Sequence, residues 1–313
     1  MLFGVTWSAA GSFLGEIMQD LDIGLSRASF INTSVSAAKI LGPVAAGALS
    51  ARLKLKRAFL AASFLICLGV LAPLSSSFWA ILAARFLMGL GGALVVVYFT
   101  PIVMEWFSGE ERVTVNGLNF VSISVGMTFG LAFTEEIRAL LGGSWRRTLL
   151  LYSSVSIVMF FLWLLLGKER GGSVRDAAGS GDVKSGQLRQ PDYKVSIGQA
   201  LRDKNTWKLI LCYFGLLSVY LVMITYAPQY YRRSGVFEAA SAVYLAPSVA
   251  LISSIPATFL GIWISRRTGL RIPLLRISGA VIIPGVLLMF FSHRVVLVFA
   301  GAVLTGFGMF FWR

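Results

Sequence analysis

With 313 residues, 57% of them hydrophobic and 13% charged, the chain lies far from a soluble domain, which is about half apolar and about a quarter charged. The formal charge of +14 is spread between apolar runs rather than gathered on one amphipathic face, which argues against a nucleic-acid partner. One histidine, His293, and two cysteines, Cys67 and Cys212, both inside apolar runs, exclude a disulfide framework and most His-based metal or triad chemistry.

A helix needs roughly 20 apolar residues to cross a hydrocarbon core of about 30 Å. Ten such runs are predicted, near 1–19, 29–50, 58–77, 80–104, 116–137, 146–166, 207–230, 239–264, 272–291 and 295–312. Helix is required because lipid offers the backbone no hydrogen-bond partner, and the runs do not alternate as barrel strands would. The first run has no basic leader and no cleavage site, so it reads as a retained helix. The fold class is therefore all-α, a polytopic membrane protein. Residues 1–166 form a first group of six spans and 207–313 a second group of four. Between them 167–206 is a linker, rich in Gly, Ser and charge up to Asp192, with a short surface helix predicted over 196–204.

Lysine and arginine set the orientation. Arg52, Lys54, Lys56, Arg57, Arg112, Arg266, Arg267, Arg271, Arg276 and the basic residues of the linker fall on one side. Arg27, Arg138, Arg146, Arg147, Arg232, Arg233 and Arg294 fall on the other. The first side is the cytoplasmic one, which places the N-terminus and the central loop inside a plasma-membrane protein.

A pattern at the inner end of the second span returns at the inner end of the eighth. The first copy is Gly47-Ala-Leu-Ser-Ala51-Arg52, followed by Lys54, Lys56 and Arg57. The second is Gly261-Ile-Trp-Ile-Ser265-Arg266, followed by Arg267 and Arg271. The two turns resemble the loop signature of the major facilitator superfamily, with Ala51 and Ser265 where that signature carries aspartate. Arg85-Phe-Leu-Met-Gly89-Leu-Gly91-Gly92 in the fourth span and Gly143-Ser-Trp145-Arg146 at the start of the sixth are similar to further motifs of the family. In the fifth span Gly126-Met-Thr-Phe-Gly130 lacks the Gly-Pro pair of drug/proton antiporters. The resemblance covers the chain in order. It implies two six-helix halves related by a repeat, alternating access, and Gly47, Arg52, Gly261 and Arg266 as gating-loop residues. It also implies a monomeric secondary transporter, coupled to a proton or ion, with no cofactor and no catalytic residue. The family has twelve spans, so the last two are expected to lie outside this chain.

Lys39 is the sharpest single residue. It lies near the middle of the second span, on one helical face with Asn32, Ser36 and Pro43. A lysine at the bilayer centre costs about 2.5–3.5 kcal/mol and is turned toward a cavity or a partner. The residues leave three readings open: a substrate cation, a partner of Glu16, or a lysine neutralised by burial. Arg85 is a second cation within a span, and the resemblance places it where proton coupling or substrate contact occurs. Its structural alternative is a helix–helix hydrogen bond. Within the spans cations outnumber acids, so an anionic small molecule is the expected substrate. Asn119, Ser122 and Ser124 in the fifth span, and Tyr220, Thr225, Tyr226 and Gln229 in the seventh, are lesser candidates. Chain ATPase activity is not expected, because no Gly-x-x-x-x-Gly-Lys-[Ser/Thr] loop is present. A membrane-embedded enzyme lacks paired acids or a nucleophile with its base, whereas a non-transporting scaffold or sensor stays open as an alternative.

Overall fold

The computed structural model describes residues 1–50, 53–168, 202–237, 242–268 and 272–311. Every regular element among them is helical. In chain order they are α1 (Leu2–Ser12), α2 (Leu14–Asp20), α3 (Leu25–Ser50), α4 (Leu55–Cys67), α5 (Leu71–Leu74), α6 (Phe78–Trp106), α7 (Gly109–Ala132) and α8 (Thr134–Leu140). Then follow α9 (Trp145–Leu166), α10 (Lys204–Ser234), α11 (Leu245–Thr268), α12 (Ile272–Phe291) and α13 (Val295–Phe310). Single 3-10 turns join α4 to α5 and precede α11. The predicted surface helix over 196–204 falls almost wholly outside the described residues, as does Arg52.

Seven stretches are long and apolar enough to cross a bilayer: Leu55–Leu74, Phe78–Trp106, Thr114–Ala132, Trp145–Leu166, Lys204–Ser234, Ala242–Ser265 and Pro273–Phe291. Val295–Met309 is a shorter apolar helix. The remaining two expected spans differ for separate reasons. Residues 1–19 are not one rod: the helix breaks at Phe13, where φ is −90° and ψ is 8°. α3 has ample length, 26 residues, but Asn32, Thr33, Ser34, Ser36 and Lys39 interrupt its apolar run.

Local chemistry fixes several boundaries. Ser108 and Glu111 form a reciprocal capping box at the start of α7. The Ser108 backbone N–H donates to Glu111 Oε2 at 2.9 Å, and with the Ser108 hydroxyl it holds this exposed carboxyl below its usual range. Gly142 and Gly143, both at φ +76°, make the turn into α9 that a side chain would strain. Asp203 caps α10 by accepting from the Asn205 N–H at 3.0 Å, and Gly235 ends that helix at φ +66°.

Small residues then set the packing. A side chain added to Gly89 of α6 would place its first carbon 2.8 Å from Val35 Cα, so α3 and α6 touch backbone to backbone. α1 lies against α7, where the Ser8 hydroxyl donates to the Met127 carbonyl at 3.1 Å. Helices before and after residues 169–201 share one core, containing Trp7, Val35, Met88 and Met127 from the first group and Met223, Tyr231, Ala250 and Met289 from the second.

Candidate functional site

Where α3, α6, α7 and α10 approach their midpoints, a partly open cavity of about 530 Å³ remains. Its size falls within the range of small-molecule sites, roughly 300–1,000 Å³. α1 contributes Phe3 and Trp7, and α3 contributes Ser36, Lys39 and Pro43. Phe120 and Ser124 come from α7, Tyr220 from α10 and Met309 from α13. Lys39 is the one charged side chain among the described lining residues. Its ammonium stands 3.1 Å from the centroid of the Trp7 ring and 5.2 Å from that of Phe3. Phe3 and Trp7 are stacked, with centroids 5.8 Å apart, and Tyr220 lies 6.1 Å beyond Trp7. A desolvated cation over a tryptophan face gains about 2 kcal/mol, which helps hold the lysine inside a span. Glu16, the partner weighed for it, bonds instead to Arg138 at 3.0 Å.

Arg85 sits elsewhere. It is buried, and its guanidinium donates to the Thr6 carbonyl at 2.9 Å, the Trp7 carbonyl at 3.3 Å and Asn32 Oδ1 at 3.3 Å. It thus ties α6 to α1 and α3 behind the cavity wall. Asn32 is also buried and faces this arginine rather than the cavity. Of the residues selected from sequence, Lys39 and Ser36 share the cavity with Ser124 and Tyr220. Asn119, Tyr226 and Gln229 are not among its lining residues. Gly47 is exposed on the last turns of α3, and Gly261 lies against the Phe311 carbonyl where α11 meets the end of α13. Arg266 continues α11 as backbone, and nothing further is described of its side chain. Phe3, Trp7 and Phe120 were missed by sequence reasoning. A tryptophan in the middle of an apolar run rather than in an interfacial belt is the signal that could have singled out Trp7.

At one end of the bundle an ion cluster crosses between the helices before and after residues 169–201. Glu135 accepts from Arg138 at 2.7 Å and from Arg232 at 3.0 Å. Arg232 also donates to the Tyr244 hydroxyl at 2.7 Å, and that hydroxyl donates to the Ser12 carbonyl at 3.2 Å. The break at Phe13 supplies this acceptor, since α1 ends at Ser12. Nearby, Arg146 pairs with Asp20 at 2.7 Å and donates to the Pro73 carbonyl at 3.0 Å. Gly11 of α1 faces Ile224 and Thr225 of α10 and the Asn32 amide of α3.

A sequence model of the Major Facilitator Superfamily matches residues 1–312. An uncharacterized protein, Cj0987c, of Campylobacter jejuni subsp. jejuni serotype O:2 is 28% identical over 309 residues, covering 97% of this chain and 91% of its own. The fold is similar to that of a bacterial homolog of the human lysosomal transporter Spinster, solved inward-facing and unoccupied. There the TM-score is 0.71 and the identity 14%, over 99% of this chain and 71% of the other. It is similar also to the xylose transporter XylE from E. coli in a partially occluded inward-open conformation, with TM-score 0.66, 14% identity and coverage of 99% and 81%. The nucleoside transporter NupG gives a TM-score of 0.65 at 14% identity, covering 99% and 78%.

Proposed function

Because the chain belongs to the Major Facilitator Superfamily, a multi-pass membrane family, we propose that it is a secondary transporter moving a small anion by alternating access. Residues 1–166 and 207–313 act as the two moving bodies and 167–206 as their linker, with linker and N-terminus on the cytoplasmic face of the plasma membrane. The observation that carries the substrate charge is Lys39, a cation set at mid-height in a cavity whose other described lining residues are uncharged. A carboxylate or other anion reaching it gains a charge-assisted hydrogen bond in a low-dielectric setting. The cluster of Glu135, Arg138 and Arg232 is the closed outer gate, and the turns after Gly47 and Gly261, with Arg52 and Arg266, lie at the inner gate. A coupling proton or ion supplies the driving force, and the protein works as a monomer.

Anion binding by the purified protein, screened by thermal stabilisation and then measured as a Kd, tests this reading. Lys39→Ala is expected to weaken binding by more than about tenfold, or about 1.4 kcal/mol. Lys39→Arg keeps the charge but not the shape, so it retains part of the affinity. Unchanged affinity in Lys39→Ala would remove the anion assignment. The absence of aspartate from both loop copies, which have Ala51 and Ser265, favours a second reading, a non-transporting sensor. Binding without any counterflow in liposomes would select it.

A further inference from the structure

Resting on the assignment of this cavity as the substrate site, we infer that the substrate is an amphipathic monocarboxylate with a flat apolar body, rather than a hydrophilic or multiply charged anion. The argument begins with charge. One cation, Lys39, lines the cavity among the described residues, and it matches one carboxylate. A second negative charge on the same ligand would lie among Phe3, Trp7, Ile40, Val96, Phe120 and Leu221 without a described cation to meet it. Burying an unpaired charge in such surroundings is strongly unfavourable.

Shape and surface give the same answer. The lining is mostly apolar, and its rings are arranged as a trough: Phe3 stacked on Trp7 at an interplanar angle of 26°, then Tyr220 tilted at 56°. An inorganic anion would leave that surface wet, whereas a planar hydrocarbon body would cover it and gain both burial and ring-on-ring contact. Ser36, one turn before Lys39 on α3, and Ser124 across on α7 offer hydroxyls to a carboxylate oxygen. Trp7 lies beneath the ammonium at 3.1 Å, so the carboxylate meets Lys39 away from that ring, with its apolar body toward Phe120 and Tyr220.

The probes are 3-phenylpropanoate, its neutral amide, succinate and sulfate, each titrated calorimetrically into the purified protein in detergent. The phenyl acid is expected to bind at least about tenfold more tightly than each of the other three. Lys39→Gln should erase the difference between acid and amide. Phe120→Ala should weaken the acid severalfold while the ligand-free protein keeps a cooperative unfolding transition, since this ring is only partly buried at the cavity wall. Succinate or sulfate binding as tightly as the phenyl acid, and depending on Lys39, would overturn the substrate class while leaving the anion site in place. An amide equal to the acid, or an acid affinity unchanged in Lys39→Gln, would overturn the anion site itself. Absence of saturable binding by every probe, or an unchanged acid affinity in Phe120→Ala, would also overturn the inference.

Discussion

Replacing Arg85 with methionine separates two jobs that a buried cation can do. The guanidinium donates hydrogen bonds to three oxygens, the Thr6 and Trp7 carbonyls and Asn32 Oδ1, and a weaker one to Met88 Sδ at 3.8 Å. Bonds to a charged donor contribute about 1.5–3 kcal/mol each, but methionine also relieves the desolvation of a charge, several kcal/mol in itself. These opposing terms nearly cancel, and the remainder decides the outcome. The Thr6 and Trp7 carbonyls lie within α1 and keep helical partners. Asn32 Oδ1 is left buried and unpaired, at a cost of about 1–3 kcal/mol. At about 2–4 °C per kcal/mol for chains of 150–250 residues, Arg85→Met should lower the Tm by roughly 5 °C. The double variant Arg85→Met with Asn32→Leu should regain most of that loss, because an apolar pair of similar shape leaves nothing unsatisfied. The assay is thermal unfolding of the purified protein followed by tryptophan fluorescence, with anion affinity measured alongside. An unchanged Tm together with lost affinity would refute the reasoning and make Arg85 a substrate contact. Additive losses in the double variant would show that the two residues do not act as a pair.

Two other outcomes follow from the ends of the bundle. Removing Arg232 (Arg232→Met) breaks its bonds to Glu135 and Tyr244, so a cysteine placed at Ser12 in a cysteine-free background should react faster with a thiol reagent. Partly exposed ion pairs contribute about 1 kcal/mol or less, so the acceleration should be no more than about fivefold, and an unchanged rate would show that the cluster does not govern the gate. For orientation, single cysteines at Ser173 and Ser234 should behave oppositely in intact cells, with an impermeant reagent labelling only Ser234; the reverse pattern would invert the topology.

Hydropathy made most of the fold legible, because each of the seven apolar stretches between Leu55 and Phe291 is long enough that only a helix across the bilayer satisfies its backbone. It was silent about Phe13, where the apolar run continues while the helix stops. That break goes with contacts distant in sequence, Gly11 against α10 and the Ser12 carbonyl against Tyr244. The candidate site was legible in part for a related reason. Helical spacing put Asn32, Ser36 and Lys39 on one stripe, but 32 and 39 are nearly two turns apart. The close contact at Gly89 sets Asn32 against Arg85, while Lys39 reaches the rings of α1. Spacing along one helix gives the stripe; only the neighbours say where each member of it ends up.

The stacking of Lys39 on Trp7 bears on the return journey of an empty carrier. A bare ammonium at mid-membrane would resist reorientation, because each passage through a closed state would strand a charge with no counterpart. Under the proposed anion transport, the indole face acts as a resident surrogate for the anion in the unloaded site. On that reading, loading sets the anion against an ammonium whose charge its companion, the indole ring, already partly offsets. Affinity is moderated by the strength of that companion, and release at the far side is eased by the same amount. Substituting this ring would therefore alter how readily the empty form cycles, even where equilibrium binding changes little.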